Sequence, residues 1–138
     1  MKEYYINFRN EKLESLLRSS GKGGGLFTAV DEDLFPVLVS TGEDEDSEII
    51  TVQVKAGNHD LRIINAYVPQ EDDSPQKVFH FWQEVENEVI VAKENNCLIL
   101  LQMDANAKVG KEEISNDPNE ASKNGKLLIE MVKRQGLL

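Results

Sequence analysis

Cys97-Leu98-Ile99-Leu100-Leu101, running into Gln102-Met103-Asp104-Ala105-Asn106-Ala107-Lys108-Val109-Gly110, is the stretch that decides how this chain is read. Its continuous apolar run is too short for a buried helix and predicts a central strand covered on both faces. The polar residues arrive as the chain leaves the C-terminal edge of the sheet, where ligand sites of α/β sheets form. In extended chain, residues two apart face the same way, so Asp104 and Asn106 project together. A carboxylate there can orient or deprotonate a water while the carboxamide holds an oxyanion. Asp and Asn are also ordinary loop residues, so the pair acquires meaning only from what surrounds it.

Upstream, Ser74-Pro75 is a helix start, a serine cap followed by proline where its missing N–H costs nothing. Val78, Trp82, Val85, Val89 and Ala92 recur at helical spacing to about Glu94, and Asn95-Asn96 stops the helix. Before it, Ile50, Val52 and Val54 alternate with Thr51, Gln53 and Lys55, the signature of a half-buried strand over 49–55. Gly57-Asn58-His59-Asp60 is turn chemistry, and Leu61–Val68, ended by Pro69, completes a hairpin. Ile64-Asn65-Ala66-Tyr67-Val68-Pro69-Gln70 thus closes another strand, with Asn65 and Tyr67 sharing a face. A phenol at that position can donate to a phosphate oxygen; it can equally be a half-packed strand-end tyrosine.

Further out, Leu26–Val30 and Phe35–Ser40 are two short apolar runs, and residues 1–21 are a lead-in in which Glu11–Arg18 can form a short helix. Downstream, 102–122 is polar and irregular, and Asn124-Gly125 opens a last helix with Leu127, Leu128, Met131 and Val132 on one face, closed by Gly136. Strand, hairpin, long helix, buried strand, loop and helix is an α/β order for one domain over 22–138. Leu137-Leu138 reads as the opening of a further strand, which suggests an incomplete domain.

The chain has 138 residues, with 15 Lys+Arg against 25 Asp+Glu and a net charge of −10. A hydrophobic fraction of 40% with 29% charged residues excludes wholesale disorder. Five of the acids lie in Glu43, Asp44, Glu45, Asp46 and Glu48, a run that reads as a solvated loop between two strands and lacks the spacing of an EF-hand. The acidic balance argues against non-specific nucleic-acid binding through a wide basic face, but leaves room for a nuclease using metal ions and a few lysines. No apolar run approaches the roughly 18 residues of a membrane span, and residues 1–10 hold no signal-peptide core. A single cysteine, Cys97, fits a reducing intracellular compartment, nucleus or cytoplasm.

Other residues favour bland readings. Gly21-Lys22-Gly23-Gly24-Gly25 lacks the order of a phosphate loop. His59 belongs to a turn, His80 to a helix surface, Cys97 and Trp82 to the core. Lys108 and Lys111 are loop lysines equally able to meet a DNA backbone.

Taken together, the glycine-led strand Gly23-Gly24-Gly25-Leu26, the β-run ending Asn65-Ala66-Tyr67-Val68-Pro69, the helix, the apolar strand ending Asp104-Ala105-Asn106-Ala107-Lys108 and the trailing Ser122-Lys123-Asn124-Gly125-Lys126-Leu127-Leu128 resemble the endonuclease/exonuclease/phosphatase family. The pattern is most similar to the endonuclease domains of non-LTR retrotransposons, reverse-transcriptase-associated enzymes, and to craniofacial-development-like proteins. That resemblance implies a partial four-layer α/β sandwich, mostly antiparallel, truncated at both ends. It implies that Tyr67 contacts the scissile phosphate, that Asp104 activates or positions water, and that Asn106 holds the phosphate. Asn65 and Lys108 become substrate-binding positions, DNA the partner and Mg²⁺ the cofactor. The departures are Met103 and Ala105, where the family has glycine and a bulkier residue. The family's metal-holding glutamate has no match before Gly23, and its terminal histidine segment has none either.

The chain alone is therefore expected to be inactive or weak as an enzyme. The alternatives are a phosphoesterase acting on RNA or a small phosphorylated substrate, and a non-catalytic remnant or interaction module. A half-sandwich also implies self-association through an exposed sheet face.

Overall fold

The computed structural model describes residues 5–9, 26–42, 48–112, 115–116 and 120–137. Its centre is a mixed four-stranded sheet. β3 (Val37–Ser40), β4 (Ile49–Ala56), β5 (His59–Tyr67) and β6 (Leu98–Asp104) lie in that spatial order. β3, β4 and β5 are antiparallel neighbours, and β6 runs parallel to β5. A parallel neighbour requires a crossover, which here is α1 (Pro75–Glu94). The expected helix is thus realised at both ends: the Ser74 side chain accepts from Lys77 N, and Asn95 closes the last turn. A second helix, α2 (Lys123–Gln135), is capped by Ser122 and ends at Gly136 in the left-handed conformation, φ 60°.

Alternation along the strands divides the core in two. Ile64, Ala66 and Val68 face α1 and meet Val78, Phe81, Trp82, Val85 and Val89, with Ile99, Leu101, Met103 and Leu127 packed at the margin. On the opposite face, Ile50, Val52 and Val54 pack with Val30, Phe8, Leu61 and Ile63. This second layer is a separate two-stranded sheet of β1 (Tyr5–Arg9) and β2 (Phe27–Asp31), antiparallel in register Tyr5↔Asp31. A strand thus occupies part of the lead-in, while the helix expected over Glu11–Arg18 and the glycine run lie outside the described residues. The remaining elements are a 3₁₀ turn at Glu32–Leu34 and a two-stranded ribbon of β7 (Lys111–Glu112) and β8 (Ser115–Asn116) within the stretch read as irregular.

Three expectations need correction. The strand over 49–55 was expected to be half-buried, yet Ile49, Ile50, Thr51 and Val52 are all within 1% of complete burial. Layers on both faces of β4 override the one-sided reading of its alternation. The apolar run at Cys97–Leu101 was expected to be a central strand covered on both sides. Instead β6 is an edge strand among the described residues, with Leu98 51% and Leu100 44% exposed. Ile99 and Leu101 pack beneath α1, but the β1–β2 layer reaches β4 and β5 without covering β6. Leu137 does not begin a strand; it packs against the α1-side core and its N–H returns to Val132 O at 3.0 Å.

Candidate functional site

β5 and β6 end together. Their parallel register pairs Ala66 with Met103 and Tyr67 with Asp104. Ala66 and Met103 belong to the α1 side, so Tyr67 and Asp104 share the opposite face at neighbouring strand tips. Strands in a ladder lie about 4.8 Å apart, which brings phenol and carboxylate within reach of one small ligand. Asp104 is exposed and Tyr67 half-buried.

The acidic residue next to Tyr67 was missed in sequence. Glu48 was read as part of a solvated loop, but it stands directly before β4 and its carbonyl accepts from Tyr67 N at 3.0 Å. With Tyr67, Gln70 and Lys77 it lines a cavity of about 310 Å³. Burial pushes its carboxyl above the usual range, against the pull of the Lys77 ammonium. Residues 43–47 lie outside the described part. The only sequence signal for Glu48 was its place at the end of the acidic run, directly before an apolar strand.

Past the strand tips the backbone is tied down. Asp104 Oδ1 accepts from Asn106 N at 3.1 Å, an Asx turn, and Asn106 itself takes φ 43°. The Asn106 carboxamide donates to Val68 O at 2.7 Å, while Val68 N donates to Asp104 O at 2.9 Å. Asp104 and Asn106 therefore do not act as two side chains projecting from extended chain. The chain turns between them, and one amide hydrogen of Asn106 is spent joining the β5 exit to the β6 exit. Asn65 has a structural role too: its Nδ2 donates to Phe27 O and Thr28 Oγ1, both at 3.2 Å, fastening β2 to β5. Lys108 is exposed and borders a cavity of about 500 Å³ with Glu71, Asn106 and Ser122.

Behind this loop sits Asn124, completely buried. Its Oδ1 accepts from Trp82 Nε1 at 3.1 Å, and its Nδ2 donates to Pro69 O at 3.0 Å and Asn106 O at 3.3 Å. One side chain thus joins α1 to the exits of both site strands. The Trp82 indole, correctly read as core, owes its polar satisfaction to it. Gly125 lets α2 come this close: a Cβ there would lie 1.9 Å from Lys108 O. Ser122 completes the seam, accepting from Lys108 N at 3.0 Å and donating its own N–H to Lys108 O at 2.8 Å. Glu71 caps the same helix end through Asn124 N at 2.8 Å. Hydrogen bonds from the Ser122 hydroxyl and then the Asn124 amide hold its carboxyl below the usual range.

Of the remaining polar candidates, His80 stays on a helix surface as expected, whereas His59 opens β5 instead of lying in the turn and Cys97 belongs to neither core cluster. His59 and His80 are exposed, with His80 Nε2 lying 3.9 Å from Glu84. Cys97 is half-buried, its thiol directed to Gln53 Oε1 at 3.8 Å. No group of three or more His, Cys, Asp or Glu side chains able to hold a metal occurs among the described residues. No described helix is long and apolar enough to cross a membrane. Fold and site thus define an α/β chain with Tyr67 and Asp104 paired at the tips of β5 and β6, and Glu48 beside Tyr67 directly before β4. No protein-family model matches the chain, and no curated protein matches it significantly.

Proposed function

We propose that this chain carries a phosphodiester-binding site of the endonuclease/exonuclease/phosphatase type, built on a partial four-layer sandwich and directed at DNA. The observation that carries the reading is the in-register pairing of Tyr67 with Asp104 on one face at the ends of parallel strands. The Tyr67 phenol donates to a non-bridging phosphate oxygen, and Asp104 accepts from the attacking water and sets its line of approach. Asn106 keeps Asp104 in place through its turn, and its second amide hydrogen is directed to the phosphate. Lys108 adds a positive charge for the neighbouring backbone phosphate.

Mg²⁺ fits this donor set modestly. Such an ion is commonly held by one or two carboxylates together with substrate phosphate and water, and Asp104 would be the one carboxylate at this position, since Glu48 lies two strands away in the cavity beside Tyr67. Bound there, it supplies Lewis-acid stabilisation of charge developing on the phosphate. With so few protein ligands the chain alone turns over slowly, and the ion binds together with DNA.

Calorimetric titration of Mg²⁺ into the chain with a short DNA duplex tests this. A saturable heat is expected that requires both components and disappears in Asp104→Ala. Tyr67→Phe should weaken it roughly tenfold or more, the contribution of a hydrogen bond to a charged oxygen. Heats unchanged by Asp104→Ala, or none at all, would refute the reading. A second reading, a non-catalytic interaction module, draws on the exposed Leu98 and Leu100 on the same strand as Asp104. It expects a silent titration.

A further inference from the structure

Two patches of complementary chemistry stand on different parts of the surface. The first is a knob. The 3₁₀ turn that follows β2 reads Asp31-Glu32-Asp33-Leu34-Phe35, three acids and then two large apolar residues. Leu34 is 41% exposed and Phe35 73%, the most of any large apolar side chain among the described residues. The turn holds them outward: the Asp31 carboxylate accepts from Asp33 N at 3.0 Å, and Phe35 N donates to Glu32 O at 3.0 Å. Phe35 itself takes φ 50°, a left-handed conformation that bulky residues seldom adopt.

The second patch is a groove. Pro75 and Phe79, one turn apart on α1, line a cavity of about 490 Å³ together with Leu127 of α2. The only charged residues lining it are Lys123 and Lys126, in the first turn of α2. Asp72 and Asp73, the acids that precede α1, line the separate cavity beside Tyr67 instead. The groove is preformed. Trp82 Nε1 donates to Asn124 Oδ1 at 3.1 Å and Arg134 donates to Glu86 at 2.7 and 2.8 Å, which fixes α2 against α1. Phe79, 56% exposed, leaves its mouth open.

Each patch supplies what the other lacks. The knob sets two apolar side chains beside carboxylates, and the groove sets an apolar floor beside two ammonium groups in a chain of net charge −10. A nucleic-acid backbone would bring the negative charge without the apolar side chains. We propose that this chain self-associates head to tail, with the 31–35 turn of one copy seated in the α1–α2 groove of a second. Leu34 and Phe35 fill the groove, Phe35 meeting the Phe79 ring, while Glu32 and Asp33 approach Lys123 and Lys126. Both parts are ordered before they meet, so little ordering cost opposes the contact. Because two different surfaces join, the contact is heterologous, and its rotation decides whether the copies close or extend as a chain.

Charge reversal tests each half. Lys123→Glu with Lys126→Glu spoils the groove, and Glu32→Lys with Asp33→Lys spoils the knob. All four side chains are exposed, so circular dichroism should not change. Sedimentation should show the wild-type chain associating and each variant alone associating at least tenfold more weakly. Mixing the two variants should restore a one-to-one complex, since the first keeps its knob and the second its groove. Phe35→Gly, which suits φ 50°, should weaken association without loss of stability. Amide resonances of 32–35 and 123–127 should shift together as the wild-type concentration rises. A wild-type chain still monomeric at about 1 mM, or variants that associate as wild type does, would overturn the proposal. So would a mixture that stays monomeric, or shifts confined to the exposed Leu98 and Leu100 of β6.

Discussion

Replacing Gly125 with alanine sets two physical effects against each other, and the structure says which wins. Gly125 lies in the first turn of α2, where helix propensity alone favours alanine by about 1 kcal/mol. The added Cβ, however, would sit 1.9 Å from Lys108 O and 2.7 Å from Lys108 C, backbone atoms that cannot swing aside. α2 must therefore back away from the loop. That movement opens the paired bonds of Ser122 with Lys108, at 2.8 and 3.0 Å, and loosens those from Asn124 to Pro69 O and Asn106 O. Two lost bonds at about 1 kcal/mol each, and a buried carboxamide left partly unsatisfied at about 1–2 kcal/mol, give about 3–4 kcal/mol. Subtracting the propensity gain leaves a net loss of about 2–3 kcal/mol, or about 6–15 °C in Tm for a domain of this size. Urea unfolding followed by circular dichroism and by Trp82 fluorescence would measure it. Gly57→Ala is the control: nothing lies within 4 Å of its Cβ, and only its φ of 64° opposes the change, at about 1–2 kcal/mol. A Gly125→Ala chain as stable as wild type, or more so, would refute the docking of α2 against Lys108.

The buried carboxamide makes a related prediction. Asn124→Ala leaves Trp82 Nε1 and Pro69 O without their partner and should cost about 2–4 kcal/mol by urea titration. Trp82→Phe removes the indole donor as well, so the double variant should lose measurably less than the sum of the singles. Acid titration probes the carboxylates. Glu71, held low by Ser122 and Asn124, and Glu86, held low by Arg134 and then Gln135, contribute stability that is complete above their usual value of 4.5. That stability is lost as pH falls below 4.5 through their folded-state values, so Glu71→Gln with Glu86→Gln should flatten the acid limb of the urea midpoint. Glu48 has the opposite sign. Burial raises its carboxyl, so its effect is most favourable below 4.5 and declines as pH rises through its folded-state value, a decline that Glu48→Gln should remove.

The local elements were legible because their causes are local. Serine before proline at 74–75 and the 3.6-residue recurrence from Val78 to Ala92 lead to a helix that runs from Pro75 to Glu94. Gly136 closes α2 in the one conformation that suits it. Alternation and turn residues placed β4 and β5, and Asp104 and Tyr67 were recognised as strand-tip residues. What failed concerned neighbours. The apolarity of 97–101 fits a strand covered on both faces and an edge strand equally well, because composition records how greasy a strand is and not what lies beside it. Asn65 and Asn106 have the residue type of ligand-binding groups, yet Asn65 and one amide hydrogen of Asn106 serve to join strands to each other.

The sequence by itself determined the order of the helices and inner strands and, to within a few residues, their ends, since capping, periodicity and turn geometry act within a few residues of chain. Only the tertiary structure decided that Glu48 borders Tyr67, that Asn124 ties together segments 42 and 55 residues away, and that β6, apolar as it is, has β5 as its one strand neighbour among the described residues. Those facts depend on lateral register and on contacts between distant segments, for which the surrounding residues leave no periodic trace.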